Sequence, residues 1–177
     1  MAVDPFALLG VEPRFDLDLE ALEQRYREVS RQVHPDRFAR AGAAERRQAL
    51  GRAVDVNAAW RTLRDPLGRA SAVLARLGVA VDERQPASQA MLMDFLELRE
   101  ELADARHDEA AVRRLEATVR EREAAASARL AAALDRLVGG HDRAALAAPA
   151  LDALGELRYV RRFLDEVRAI DEERESQ

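Results

Sequence analysis

A chain of 177 residues, 48% of them apolar, is long enough for one or two small domains with cores of their own. It contains no cysteine, which excludes disulfides, thiolate metal ligands and a cysteine nucleophile, and a formal net charge of −5 lacks the basic density of a nucleic-acid-binding domain. The N-terminus carries no basic leader with an apolar run, and no stretch approaches the roughly twenty apolar residues of a membrane span, so a cytoplasmic protein is expected. Charge is uneven along the chain. Residues 1–77 carry 13 Arg against 11 acids (net +2) and residues 78–177 carry 15 against 22 (net −7), which suggests different partners for the two halves.

In chain order, Leu8-Leu9-Gly10 ends a short opening element. Asp18 is the expected N-cap of a helix, with Leu17 and Leu22 as a hydrophobic staple. Leu19, Leu22, Tyr26, Val29 and Val33 then recur at spacings of three and four, the apolar stripe of a helix that buries one face. Pro35 lacks an N–H and biases His34 away from the α region, so that helix should stop near Val33. A second stripe, Ala49, Ala53, Val56, Trp60 and Leu63, marks a helix over about Ala43 to Leu63. Two stripes joined by a short polar segment predict an antiparallel pair with His34-Pro35-Asp36 at its exposed tip. The pair breaks at Asp65-Pro66, and a shorter helix stops at Gly78. Residues 80–88 lose apolar periodicity and are expected to link a domain over 1–79 to a second over 89–177. Three further helical patterns follow at about 88–104, 108–138 and 149–173, with Pro149 expected in the first turn of the last. No strand-type alternation persists, so the fold is expected to be all-α, ending in a three-helix bundle.

Two places carry more than the fold needs. The tip presents an imidazole and a carboxylate in a semi-rigid frame, although a helix-ending turn is the commoner use of such a tripeptide. In the pattern at 88–104, Met91, Phe95, Leu98 and Leu102 complete one buried stripe, yet Leu92, Met93 and Leu96 form a second apolar set on an adjacent face. That surplus predicts either an exposed docking patch rimmed by Glu97 and Glu100 or a wide buried face in a thicker bundle. In the last helix Leu157 and Leu164 continue one stripe, with Arg162 and Phe163 beside it. No phosphate-cradling glycine loop is present, and His107 and His141 stand in other segments without metal-ligand spacing, so neither an enzyme active site nor a metal or other cofactor is expected.

Residues 4–38, from Asp4-Pro5-Phe6-Ala7-Leu8-Leu9-Gly10 to His34-Pro35-Asp36-Arg37-Phe38, resemble a J-domain. Asn57 through Ala70, the block Leu96-Glu97-Leu98-Arg99-Glu100-Glu101-Leu102, and Arg162-Phe163-Leu164-Asp165 resemble the HscB (Jac-type) co-chaperone family of iron–sulfur cluster assembly. The resemblance covers nearly the whole chain and is weakest over about 104–150. It implies two partners, a DnaK/HscA-class ATPase chaperone and an IscU-type scaffold protein. The chaperone would be engaged by His34, Pro35 and Asp36, with Arg25, Arg27, Arg31 and Arg37 supplying positive charge and Asn57 bracing the loop. The scaffold would be engaged by Leu92, Met93, Leu96, Glu97, Glu100, Arg162 and Phe163. A J-domain protein serving another client, or a purely structural helical adaptor, are the other readings.

Overall fold

The computed structural model describes residues 3–38, 41–82, 88–140 and 143–176. Within these, every regular element is helical. The helices are α1 (Pro5–Leu9), α2 (Leu19–Val33), α3 (Ala43–Arg64), α4 (Pro66–Arg76), α5 (Gln89–Asp104), α6 (Glu109–Gly139) and α7 (Arg143–Glu175), and a 3₁₀ turn over Pro35–Phe38 follows α2. They fall into two units, Met1–Ala80 and Val81–Gln177. Residues 83–87 of the expected linker, and His141, lie outside the described residues. Among the described residues no helix is long and apolar enough to cross a membrane.

The ends of the helices in the first unit are written locally. The Asp18 carboxylate accepts from the backbone N–H of Glu20 (2.9 Å) and Ala21 (3.2 Å) and starts α2. Gly10 takes a left-handed φ of 64°, and Val11 N–H closes back onto Phe6 O (3.1 Å) to end α1. Asp65 ends α3 and caps α4 through its bond from Gly68 N–H (2.8 Å), with Pro66 opening the new helix. Packed inside are Phe6, Leu9, Leu22, Val56, Leu63, Val73 and Leu74. Among the described residues of this unit, Arg69 is the buried charged one. Its guanidinium donates to Leu63 O (2.9 Å) at the C-terminus of α3 and lies 5.2 Å over the Phe15 ring. Burial pushes its pKa down, and Asp65 and Asp16 partly oppose that.

In the second unit α6 and α7 form a long antiparallel hairpin. The shorter α5 packs on the part whose core holds Phe95, Leu102, Val112, Val119, Val160, Phe163, Leu164 and Val167. Ser88 and Asp108 cap α5 and α6 through bonds from Met91 N–H (3.3 Å) and Ala111 N–H (3.0 Å). Pro149 departs from expectation. The last helix begins at Arg143, so Pro149 lies inside it rather than in its first turn. Pro149 is exposed, on the side of the helix away from the core. The buried row Ala147, Ala150, Ala153, Leu154 and Leu157 holds the helix together across that position.

Candidate functional site

The first candidate surface begins where α2 stops. His34 has left the helical region (φ −61°, ψ 129°), and the turn it opens is closed by Arg37 N–H onto His34 O (3.1 Å). The His34 side chain is 55% exposed and that of Asp36 90%. The backbone N–H of Asp36 donates to His34 Nδ1 (3.3 Å), which leaves the ring proton on Nε2. That Nε2 has no partner among the described residues. The tip therefore offers an imidazole N–H donor and, 3.5 Å from Nδ1, the Asp36 carboxylate, both set by backbone geometry rather than by packing.

The arginines expected around the tip divide. Arg27 and Arg31, one turn apart, share a side of α2, whereas Arg25 is two residues from Arg27 and so points to a different side. Arg25 lies against Gly10, where an added Cβ would stand 2.8 Å from its Nη2. The structure thus assigns Arg25 to the α1–α2 junction and separates it from Arg27 and Arg31. Arg25 and Arg27 are also paired with Glu28 and Glu23 (2.6 Å each), while Arg31 and Arg37 make no ion pair among the described residues. Of the four arginines, those two carry charge that no ion pair offsets among the described residues.

Asn57 does not reach the tip. Its Oδ1 accepts from the Tyr26 hydroxyl (2.8 Å), and the Tyr26 ring stacks on Trp60 with centroids 4.9 Å apart and planes 13° from parallel. Asn57 therefore ties α2 to α3. Tyr26 was visible in the sequence only as a stripe residue; its hydroxyl, on a half-buried face, was the signal that a polar partner must stand opposite.

The second candidate surface is on α5. Phe95 and Leu102 are buried, and Met91 and Leu98 pack against the same core. On the other side Met93 and Leu96 are each 51% exposed, Leu92 is half-buried, and Glu97 and Glu100 are exposed. Flanking ion pairs fix the roll of the helix: Asp94 with Arg122 of α6 (2.9 Å) and Arg99 with Glu166 of α7 (2.8 Å). An apolar strip is left open between these two edges.

Phe163 is a correction. Expected at the surface beside Arg162, it is 1% exposed and belongs to the core between α5, α6 and α7. Val160, Phe163, Leu164 and Val167 form the inward arc of α7, and one helical position, about 100° of rotation, separates Phe163 from the exposed Arg162. No partner can touch Phe163 without opening the bundle. A residue not foreseen is Tyr159, half-buried, whose ring lies 5.5 Å from that of Phe95 and carries the Arg162 guanidinium 5.5 Å above it. It stands three residues before Arg162, so tracing that helical flank in the sequence reaches it.

The HSCB C-terminal oligomerisation domain family matches residues 87–168. A co-chaperone protein HscB homolog of Bordetella avium is 44% identical over 110 residues, 61% of this chain and 66% of that protein. The co-chaperone protein HscB of Proteus mirabilis is 44% identical over 107 residues, 59% and 62% of the two chains. The chain thus spans just under two thirds of the length of these curated relatives. The solved structure of chaperone HscB from Vibrio cholerae superposes with a TM-score of 0.84 at 28% identity, covering 97% of this chain and 99% of that one. Human co-chaperone protein HscB gives 0.84 at 25% identity, over 94% and 81%.

Proposed function

This chain belongs to the HscB family of J-domain co-chaperones, and on that premise we propose that it is a two-handed adaptor of the cytoplasm. The His34-Pro35-Asp36 tip engages a DnaK/HscA-class chaperone and promotes its ATP hydrolysis, while the open face of α5 carries an IscU-type iron–sulfur scaffold to it. The observation that supports this most is the presence of two exposed surfaces with opposite chemistry on separate units, one polar and built from a helix end, one apolar and built on the back of a core helix.

The tip acts by selection between states of its partner. A donor N–H and a carboxylate held by a turn stimulate hydrolysis to the extent that they bind the hydrolysing conformation better than the resting one. Arg31 and Arg37 add attraction toward an acidic surface, which speeds encounter and weakens with salt. The chain supplies no group for the phosphate chemistry itself. Nor does it supply thiolates, so the ligands of a cluster in transit belong to the scaffold.

Energetics set the size of the second surface. Full burial of a large apolar side chain is worth about 1.5–3 kcal/mol, and roughly half of that is still to be gained by residues already half covered. Leu92, Met93 and Leu96 together therefore offer about 3 kcal/mol, against about 8 kcal/mol for a micromolar complex. The α5 strip is the centre of a larger footprint.

A three-component capture tests the reading. With a tagged DnaK-class chaperone and ATP, an IscU-type scaffold should be retained in proportion to this chain. A chain that stimulates hydrolysis yet retains no scaffold serves another client, and one that does neither is a structural adaptor.

A further inference from the structure

The α5 strip has two unlike edges. Leu92, Leu96 and Arg99 are spaced as one side of a helix, and the Arg99–Glu166 pair turns that side toward α7. On that helix stands Tyr159, half-buried and tilted 30° against Phe95, with the Arg162 guanidinium over its ring. Asp94, Glu97 and Glu101 are spaced as the opposite side, which the Asp94–Arg122 pair turns toward α6, and Glu100 adjoins them. Arg162, Glu97 and Glu100 make no ion pair among the described residues. One edge thus carries a cation on an aromatic platform, and the other carries uncompensated carboxylates.

We propose that Tyr159 is a docking residue of this surface and that, with Arg162, it fixes the orientation of the scaffold. This rests on the scaffold reading above. The fitting partner is an apolar ridge with an acidic group on the side that meets Arg162 and a basic group on the side that meets Glu97 and Glu100. Reversed docking sets like charges together at both edges. Tyrosine suits the position because its ring is rigid and loses little freedom on binding. The ring also holds the long Arg162 side chain before the partner arrives, which lowers the entropy lost in forming a salt bridge. Phe163, buried, cannot supply the aromatic contact.

The test is calorimetric titration of a purified IscU-type scaffold into the full chain at two salt concentrations, with thermal unfolding of each variant. Tyr159→Leu keeps apolar volume against Phe95 and removes the ring; affinity should fall about tenfold, with a flatter salt dependence as Arg162 loses its platform. Tyr159→Phe should stay within about twofold of the parent, because the platform remains. Leu96→Ala serves as the control for the strip itself. Loss of affinity in Leu96→Ala with parental affinity in Tyr159→Leu overturns the role of Tyr159 and leaves the scaffold reading standing. Parental affinity in both, or no binding by the parent, overturns the scaffold reading together with this inference. A Tyr159→Phe variant as weak as Tyr159→Leu rules out the ring as the cause.

Discussion

The tip after α2 and the open face of α5, the two candidate surfaces, are built in opposite ways. At the tip the exposed groups take no part in a core: His34 and Asp36 are held by the bond from Asp36 N–H to Nδ1 and by the turn closing on His34 O. On α5 exposed and buried apolar residues share one helix and differ only in phase, as exposed Leu96 follows buried Phe95. Stability is separated from function by distance along the chain in the first case and by helical phase alone in the second. Substitutions at the tip should therefore act on activity alone, whereas around α5 and α7 a shift of one position should turn a binding defect into a folding defect.

The sharpest break would come at the tip. His34→Gln should abolish stimulation of a cognate DnaK-class ATPase in single-turnover assays while changing unfolding free energy by no more than about 0.5 kcal/mol, as for an exposed residue without a core role. Gln offers a donor from a different place, so retained stimulation would show that the imidazole position is immaterial. Next in size is Phe163→Ala. Deleting a fully buried ring costs about 3–5 kcal/mol, so urea unfolding of the second unit should move far toward lower denaturant. An unchanged midpoint would mean that phase does not separate core from surface on α7, and the comparison would fail there.

How much of this was legible in the sequence depended on how local the cause was. The starts of α2, α5 and α6 follow from one capping side chain each, Asp18, Ser88 and Asp108, and the stops at Gly10 and Gly78 follow from backbone that favours glycine. The second apolar set on α5 was equally visible, because Phe95 and Leu102 already completed an inward stripe. Phe163 was not. Tyr159, Val160, Phe163 and Leu164 allow an inward arc centred on either side, and only the positions of α5 and α6 select the one that includes Phe163. Pro149 misled for a related reason, since local chemistry places proline at a helix start while tertiary packing against α6 extends the helix past it. Arg25 joined the other arginines by proximity in sequence, which on a helix is no guide to proximity in space.

The smallest effect sharpens the boundary between the two kinds of site. Asn57 sits on α3, one of the two helices that carry the tip, and its amide oxygen is engaged by Tyr26. As a brace only, its loss and the loss of the Tyr26 hydroxyl are one event. Tyr26→Phe and Asn57→Ala should then each cost about 0.5–1 kcal/mol, toward the low end for an exposed bond, and the double variant should cost little more than either. ATPase stimulation should fall equally in all three, if it falls at all. An Asn57→Ala variant that loses stimulation while Tyr26→Phe keeps it would require Asn57 to touch the chaperone directly. The polar surface of the first unit would then run from the tip onto α3, and function there would depend on helical phase, as we propose for α5.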